Sequence, residues 1–344
     1  MARCSYEAIV EFDYSARPYL ISRSMAIGSH TLACQSWSGD NSTSWHTLKH
    51  NIPMGINASL SLIGGYGHDV GGFVGPRPSK NLFIRWIQNG IFMPRFCIHS
   101  WKSEGVTTPW MYPEATKIIR NAIEFRYKIV PYIYSLSMVC SEAGDPVIRP
   151  TFFEFPKDCQ TRNQNFEFML GPWLLVASVY EDSTKRSVYL PGSVNWYSIW
   201  TGTWHEGGLF QDFTVPIETP GCLFAKAGSM IPISPCVKSV SQTSNDCREI
   251  WIFPDSTVDG QSEYVISDDD GISKDGRVFQ FKVSMRWNGP HEDVVVDLSV
   301  LAHSGFKPLY TGVLFVLPQG DERKLRCSCG ESLVSLHLSF QMEL

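Results

Sequence analysis

Four polar residues in the first hundred positions follow short apolar runs, at the points where β-strands are expected to end. They are Arg23, Asp40, Asp69 and His99. In a barrel of parallel strands the carboxyl ends meet around one pocket, so the four side chains could converge despite their separation along the chain. Carboxyl groups transfer protons, arginine binds carboxylates, and neutral imidazole hydrogen-bonds hydroxyl groups. These residue types indicate acid–base chemistry on a substrate rich in hydroxyl groups.

Asp40 is the candidate proton donor of this set. It follows Trp37 and Gly39 and precedes Asn41. A carboxyl group beside a bulky ring can lose contact with water, which favours the protonated form that a general acid needs to protonate a leaving oxygen. The alternative role is a helix N-cap, which on spacing alone is the more frequent role of such an aspartate.

The other candidates have equally plain alternatives. Asp69 lies among glycines and could accept hydrogen bonds from sugar hydroxyls, or it could be a turn aspartate. His99 could bind hydroxyls or be a structural histidine, and Arg23 could hold a carboxylate or form a buried ion pair. Trp37 and Phe73 could form the apolar walls of a sugar pocket, although such rings more often belong to a core.

Composition narrows the classes of protein. The 344 residues are 43% hydrophobic and 18% charged, which is typical of a globular chain with a substantial core. The formal net charge of −5 argues against nucleic acid or an anionic membrane as a partner. No run approaches the roughly 20 apolar residues that cross a bilayer, so we expect a soluble protein. The local signatures of serine hydrolases, P-loop proteins and zincins are absent.

Alternating strands and helices up to about residue 140 predict βα units and a parallel sheet. Strands are expected within 18–24, 32–40, 62–69 and 95–100, with helices through 46–60 and 81–88. A further helix follows Pro113, and Pro131 is expected to kink or end it. Its buried face is predicted to carry Ile118, Ala122, Phe125 and Ile129.

After Gly144 short segments punctuated by glycine and proline predict an all-β region. The polar stretch 238–246 is interpreted as a boundary loop, which divides the chain into 1–140, 141–237 and 238–344. Val294, Val296, Leu298 and Val300 alternate with other residues, as in a strand with one buried face. The acidic stretch 268–276 is only superficially like a calcium loop and is interpreted as a solvated turn. Most of the ten cysteines are expected to be buried thiols.

Several segments resemble motifs of glycoside hydrolase family 31, in the family's order and approximate spacing. They cover roughly residues 15 to 235, and the last hundred residues match more weakly. The resemblance implies an α/β plus all-β chain: the second half of a TIM (β/α)8 barrel, strands five to eight, followed by two C-terminal β-sandwich domains. The matching segments are 17–24, 37–41, 67–73, 85–88, 99–100, 126–134, 149–152, 169–172 and 227–232.

The resemblance also assigns roles to the candidate residues, because each of them falls inside a matching motif, and it favours acid catalysis over the cap at position 40. Asp40 resembles the general acid/base, Arg23 and Trp37 resemble residues that line the sugar subsite, Asp69 and His99 resemble the pair that binds its hydroxyl groups, and Phe73 resembles an apolar wall.

Retaining hydrolysis needs a second carboxylate about 5 to 5.5 Å from the first. In the family this nucleophile is an aspartate on strand four, upstream of the segment that resembles 17–24. The residues before Arg17 resemble only the helix after strand four, and neither Glu11 nor Asp13 is a credible replacement. We therefore expect strands one to four, the nucleophile and the usual N-terminal β domain to be absent from this chain, and the chain alone to have little activity.

Two functions follow from the resemblance. The first is a retaining α-glycoside hydrolase, similar to α-glucosidases, that acts on α-linked sugar at a non-reducing end and favours a glucose-like unit. The second is a non-catalytic remnant that binds carbohydrate or a partner. The mechanism needs no cofactor and no metal, since carboxyl groups handle both charge and proton. No secretory signal is visible, so a cytoplasmic location is favoured while the compartment and the oligomeric state stay open.

Overall fold

The computed structural model describes residues 1–101, 103, 105–234, 247–274, 276–289 and 292–329, and the backbone of 335–339. The first part of the chain alternates helices with short strands. Its elements are α1 (Ala2–Phe12), β1 (Leu20–Ile21), β2 (Cys34–Trp37), α2 (Trp45–Leu60), β3 (Tyr66–Gly67), β4 (Asp69–Val70), α3 (Lys80–Gly90), β5 (Cys97–Ile98) and α4 (Thr116–Ala143).

These strands pair in parallel, as predicted. β1 pairs with β2, β2 pairs with β3, and β4 pairs with β5. They form a three-stranded sheet, β1-β2-β3, and a two-stranded sheet, β4-β5. β3 and β4 are separated only by His68, so the two sheets follow one another directly and give four strand positions in chain order. The carboxyl ends of all four strands therefore face the same edge of the sheet.

Of the two outcomes predicted for α4 at Pro131, a kink or an end, the structure excludes the end. Ala122, Phe125 and Ile129 are buried as expected, while Ile118 is half-buried. The helix does not end at the proline but continues to Ala143. A proline inside a helix costs roughly 3 kcal/mol, whereas each large buried side chain contributes about 1.5–3 kcal/mol. The residues after Pro131 include fully buried Tyr132 and nearly buried Leu136, whose packing offsets the lost hydrogen bond.

The second part is built mostly of strands. A six-stranded sheet has the order β11-β10-β13-β8-β7-β6, and the pair β9 and β12 packs over it. Apolar side chains from both layers, including Leu175, Val188 and Phe224, form a core of their own. The elements are β6 (Ile148–Pro150), α5 (Thr151–Glu154), β7 (Phe168–Leu170), β8 (Leu174–Ala177), β9 (Lys185–Leu190), β10 (Asn195–Ser198), β11 (Thr203–Glu206), β12 (Leu209–Thr214) and β13 (Cys222–Lys226).

The third part contains two four-stranded sheets, with the orders β14-β15-β19-β21 and β16-β17-β18-β20. Val294, Val296 and Leu298 are buried and alternate with more exposed residues, which confirms the predicted strand, while Val300 is half-buried. The strands are β14 (Ser229–Ile233), β15 (Cys247–Phe253), β16 (Gly260–Asp269), β17 (Val278–Trp287), β18 (Val294–His303), β19 (Gly312–Val316), β20 (Leu325–Cys329) and β21 (Ser335–Ser339).

Three smaller expectations have different outcomes. The carboxylate of Asp270 accepts hydrogen bonds from the backbone of Ile272 and Ser273, which confirms a turn in the acidic stretch. The stretch 238–246 lies outside the described residues, so the boundary loop stays a prediction. Only Cys34 and Cys222 are buried among the described cysteines, so the expectation that most thiols are buried is wrong. Cys4, for example, lies on α1, a helix with no buried residue.

No helix within the described ranges is long and apolar enough to cross a membrane.

Arg85 clamps the first part of the chain to the second. Its side chain lies on α3 and donates to the carbonyl oxygens of Val215, at 2.6 Å, and Thr219, at 3.0 Å. Gln88, one turn later, donates to the carbonyl oxygen of Ile217 at 2.6 Å. Arg85 is 1% exposed, and burial lowers its pKa to about 10. The motif at 85–88 therefore joins the barrel strands to the β region instead of contributing to the pocket.

We predict that Arg85→Met destabilises the protein by about 3 kcal/mol, because the carbonyl oxygens of the 215–219 segment lose donors that no water can replace. The free energy of unfolding is measured by urea titration. Arg120→Met, an exposed position on α4, is the control and should change stability by less than about 0.5 kcal/mol. Equal urea midpoints of unfolding for the two variants would show that Arg85 does not hold the two parts of the chain together.

Candidate active site

The strand register brings the predicted site residues to one edge of the sheet. Trp37 pairs with Gly67 across β2 and β3, and Asp69 pairs with Cys97 across β4 and β5. Arg23 follows β1, Asp40 follows β2 and His99 follows β5. All six candidates therefore lie around the carboxyl ends of neighbouring parallel strands.

Arg23 and Asp40 form an ion pair at the rim of the pocket. Arg23 Nη1 lies 3.4 Å from Asp40 Oδ2, and the two side chains are 59% and 45% exposed. The alternative of a buried ion pair for Arg23 is therefore wrong. Gly39 makes the pair possible: its φ of 78° suits glycine, and an added Cβ would lie 3.0 Å from Arg23 Nε.

Asp40 does not cap the helix that follows it. The N-cap of α2 is Ser44, whose hydroxyl accepts a hydrogen bond from the backbone of Thr47 at 3.0 Å. The cap alternative for Asp40 is wrong because the chain makes another turn before the helix begins. Asp40 also stays in contact with water instead of being covered by Trp37. Its carboxyl group is thus free to meet a substrate at the rim.

Asp69 is the buried carboxylate among these strand ends. The residue is 1% exposed, and neither carboxylate oxygen has a hydrogen-bond partner among the described residues. Asp69 is also the first residue of a turn, as the alternative predicted, because Gly72 N donates to Asp69 O at 3.0 Å, but its side chain takes no part in closing that turn. An unpaired buried polar group costs about 1–3 kcal/mol, and more when it is charged. Such a cost points to a ligand that supplies hydrogen-bond donors.

The surroundings of Asp69 combine burial with nearby charges. Burial raises the pKa of Asp69 above its ordinary value, and the negative charge of Asp40 acts in the same direction. The positive charges of His99 and Arg95 act against this rise. The indole N–H of Trp37 also acts against it, although it does not meet the distance and angle of a hydrogen bond to either carboxylate oxygen. Burial is the largest of these influences, so the net effect is a raised pKa.

Phe73 and His99 form one wall of the pocket. Their ring centroids are 5.2 Å apart. The backbone of Phe73 is fixed by a hydrogen bond to the carbonyl oxygen of Asn41, at 2.8 Å, and accepts another from Trp101 N at 3.0 Å. His99 is exposed, and its alternative role as a structural histidine stays open. The exposed imidazole is available to hydrogen-bond a hydroxyl group.

Two residues of the pocket were missed by sequence reasoning. The guanidinium of Arg95 lies 6.0 Å from the ring centroid of Trp37, and the buried hydroxyl of Tyr66 has no hydrogen-bond partner in the described part of the chain. Burial and the charge of Asp69 raise the pKa of Tyr66. A signal for Arg95 existed: it lies four residues before His99, and alternate residues of a strand share a face.

His68, beside Asp69, belongs to the structure and not to the pocket. Its Nδ1 accepts from the Trp86 indole at 2.9 Å, and its Nε2 lies 3.1 Å from Asn89 Oδ1. Because Nδ1 is the acceptor, Nε2 carries the proton and donates it to Asn89. Burial lowers the pKa of His68 to about 4. No group of three or more metal-binding side chains occurs among the described residues.

A pocket at the carboxyl ends of parallel strands, with one carboxyl group at the rim and another buried, is typical of barrel enzymes that act on sugars. The family description "Glycosyl hydrolases family 31 TIM-barrel domain" matches residues 1–136, and the C-terminal domain of the same family matches 144–231. The chain therefore belongs to glycosyl hydrolase family 31.

Similar proteins share this membership. A probable glucan 1,3-α-glucosidase of Oryza sativa is 37% identical over 75% of this chain and 28% of its own length. Neutral α-glucosidase C of Homo sapiens is 39% identical over 64% of this chain and 24% of its own length. The chain thus spans less than a third of these two relatives.

Solved structures agree with this membership. A family 31 dextranase of Flavobacterium johnsoniae complexed with glucose has a TM-score of 0.82 and 26% identity, and the match covers 89% of this chain and 39% of that one. A family 31 α-xylosidase of Xanthomonas citri has a TM-score of 0.81 and 26% identity, with coverage of 92% and 36%.

We predict that Asp69→Asn makes the sugar-free protein more stable near pH 7, by about 1 kcal/mol, because the substitution removes a buried charge without a partner. The folded-state pKa of Asp69 is raised, so its contribution to stability is fully present below the unfolded-state pKa and is lost as the pH rises. The advantage of the variant should therefore grow between pH 4 and pH 7. Thermal unfolding at both pH values measures it.

Asp212→Asn, at an exposed position of β12, is the matched control and should show no such trend. A variant at position 69 that is less stable than wild type at every pH would mean that the carboxylate has an internal partner.

Proposed function

We propose that this chain is part of a retaining α-glycoside hydrolase of the α-glucosidase type, which acts on an α-linked sugar at a non-reducing end. The observation that carries the proposal is the buried carboxylate of Asp69, whose two oxygens have no hydrogen-bond partner in the described structure. Sugar hydroxyl groups are donors that fit such acceptors. Trp37 and Phe73 supply apolar surface for the ring of the sugar.

We also propose which part of a TIM barrel this chain represents. Four strand positions in parallel order support the second half of a TIM barrel, strands five to eight, followed by two β-sandwich domains with boundaries near 140 and 237. β14, at 229–233, pairs with β15 of the third part. β14 precedes the proposed boundary in the chain but hydrogen-bonds to a strand beyond it, and so connects the two β-sandwiches.

In the proposed mechanism Asp40 protonates the leaving oxygen while a second carboxylate attacks the anomeric carbon, and Asp40 later removes a proton from the incoming water. We propose that the attacking carboxylate lies outside residues 1–344. Glu11 lies exposed on α1, and the carboxylate of Asp13 is occupied by Ser15, whose backbone and hydroxyl donate at 2.9 and 2.6 Å. Neither carboxylate is placed to attack a sugar held by Asp69.

The proposed sugar is glucose-like. Relatives named α-glucosidases and one named an α-xylosidase are similar to this chain at 33–39% identity. Glucose and xylose share their ring hydroxyls and differ at the exocyclic carbon. Asp69 and His99 are assigned to ring hydroxyls, so they suit both sugars, and we favour glucose because most of these relatives are named for it.

A second function is a carbohydrate-binding protein without turnover. It is favoured by one observation: Arg23, Trp37, Asp69, Phe73 and His99 are assembled within this chain without a second carboxylate assigned to attack. Both functions require the same pocket, so they share the prediction of sugar binding and differ only in hydrolysis.

We predict that the 344-residue chain binds methyl α-D-glucoside and releases little or no glucose from maltose. Binding is measured by calorimetry and glucose by a coupled assay. Asp69→Asn should weaken binding at least about tenfold, since it replaces two charged acceptors by one neutral one, whereas Asp212→Asn should bind normally. Failure of the wild-type chain to bind the sugar would contradict both functions. Glucose release at the rate of a typical glycosidase would place the attacking carboxylate within these residues.

The role of Asp40 is tested in a protein that combines these residues with the attacking carboxylate. We predict that Asp40→Ala slows cleavage of maltose by about 10²–10⁴-fold, because its leaving sugar needs a proton. Cleavage of an aryl glucoside with an acidic phenol should fall far less, since that leaving group departs as an anion. Steady-state rates on both substrates measure the difference. Equal losses on the two would show that Asp40 is not the acid.

A further inference from the structure

Arg95 is held beside the pocket by close packing of the backbone. Its N–H donates to the carbonyl oxygen of Tyr66 at 3.0 Å. On the other side, a Cβ added to Gly67 would lie 2.1 Å from the carbonyl oxygen of Arg95, a distance that only glycine permits. The backbone before β5 therefore lies directly against β3, at the foot of the pocket.

The positively charged side chain of Arg95 forms no ion pair within the described part of the chain. Its guanidinium lies over the ring of Trp37, with the central carbon 6.0 Å from the ring centroid. Nη1 is buried and has no hydrogen-bond partner among the described residues, and the same is true of both oxygens of Asp69. Opposite charges thus share the pocket while the hydrogen-bonding atoms of the carboxylate stay unoccupied.

We propose that Arg95 is a positioning residue of the sugar site: it neutralises the charge of Asp69 through space and so leaves both carboxylate oxygens free to accept hydrogen bonds from sugar hydroxyls. This inference rests on the proposed function, since it assigns Asp69 to sugar binding. A cation–π contact with Trp37 holds the guanidinium in place of a salt bridge.

Another buried carboxylate in the same chain shows the contrasting arrangement. Glu167 forms an ion pair with Arg186 at 3.0 Å and accepts the backbone N–H of Tyr189 at 3.2 Å. Both of its oxygens are occupied, one by each partner. Glu167 is thereby a structural carboxylate, and nothing about it is left for a ligand. Asp69 has the half-buried cation of Arg95 nearby but keeps both acceptors, which is the arrangement that ligand binding requires.

The other groups that face Asp69 do not replace Arg95. Asp40, from the end of β2, adds negative charge, and Tyr66 of β3 is neutral because burial raises its pKa. His99, from the end of β5, lowers the pKa of Asp69 more than Arg95 does. Its charge is present only while the imidazole is protonated, whereas the charge of Arg95 is permanent. The charge of Arg95 acts deeper in the pocket, where it also contributes to lowering the pKa of buried His68.

The test is the pH dependence of methyl α-D-glucoside binding, measured by calorimetry on the 344-residue chain from pH 4 to pH 8. Without the guanidinium, Asp69 becomes ionised only at higher pH. Arg95→Met should therefore move the acidic limb of the binding profile upward by about one pH unit and weaken binding near neutrality about tenfold. Arg95→Lys, which keeps the charge, should restore most of the affinity and most of the position of the acidic limb. Arg120→Met, exposed on α4, should match wild type.

The outcomes separate this inference from the function on which it rests. If Asp69→Asn abolishes binding while Arg95→Met keeps the wild-type profile, the positioning role is overturned and the sugar site stands. If Arg95→Met and Arg95→Lys weaken binding equally with an unmoved limb, Arg95 is merely structural, and the proposal is also overturned. If wild type does not bind, or Asp69→Asn binds normally, the proposed function fails and the inference fails with it. Circular dichroism and thermal unfolding establish that each variant is folded.

Discussion

A buried carboxylate without an internal partner is the constraint on which this site depends. Asp69 is 1% exposed and its oxygens accept no hydrogen bond in the described structure. The folded protein carries this cost before any ligand arrives, and it is compensated by the packing of the surrounding barrel strands and helices. A site prepared in this way binds donors without first breaking internal hydrogen bonds, because the acceptors were never paired. The sugar-free protein is thus less stable than it could be, and in return the carboxylate of Asp69 is available to a ligand.

Strands as short as these need support from outside the sheet. β1 and β5 have two residues each. Arg17, just before β1, donates to Asp269 at 2.7 Å and to Tyr134 at 2.9 Å, so the third part of the chain holds the approach to the first strand. Arg126 of α4 donates to the carbonyl oxygen of Pro94 at 2.8 Å, directly before Arg95.

Together with the clamp made by Arg85, these contacts make the β regions part of the site's support. Arginine is suited to this role because its planar group presents several donors to separate carbonyl oxygens at once. Substitutions far from the pocket, in the turn after β16 for example, are therefore able to shift Arg23 and Asp40 at the rim.

Sequence reasoning found what depends on local pattern. The parallel strands, the buried face of α4 around Phe125 and the alternation from Val294 all follow from apolar spacing, which burial enforces directly. The ion pair of Arg23 with Asp40 and the electrostatic interaction of His99 with Asp69 are consistent with the expectation drawn from strand ends.

Features that depend on contacts between distant residues were missed. Ser44 caps α2 in place of Asp40 because the turn after Gly39 is longer than a capping loop. The persistence of α4 through Pro131 depends on packing against β14 and β16, which no local pattern reveals. Arg95 was missed although its spacing from His99 placed the two on one face of the predicted strand, because a sequence does not show whether a charged side chain has a partner.

One carboxyl group of the site is buried and the other is exposed, and this difference orients the proposed substrate. Asp69 is buried without access to water, whereas Asp40 lies at the rim beside Arg23, and both rim side chains are substantially exposed. Under the proposed roles, the sugar that is held by its hydroxyl groups lies inside and the bond that receives the proton lies at the mouth. The leaving group then extends into solvent, where its size is unrestricted by the described walls. Because the proposed proton donor is more exposed than Asp69, the proposed arrangement leaves the next sugar unit in solvent, as action at the end of a chain requires.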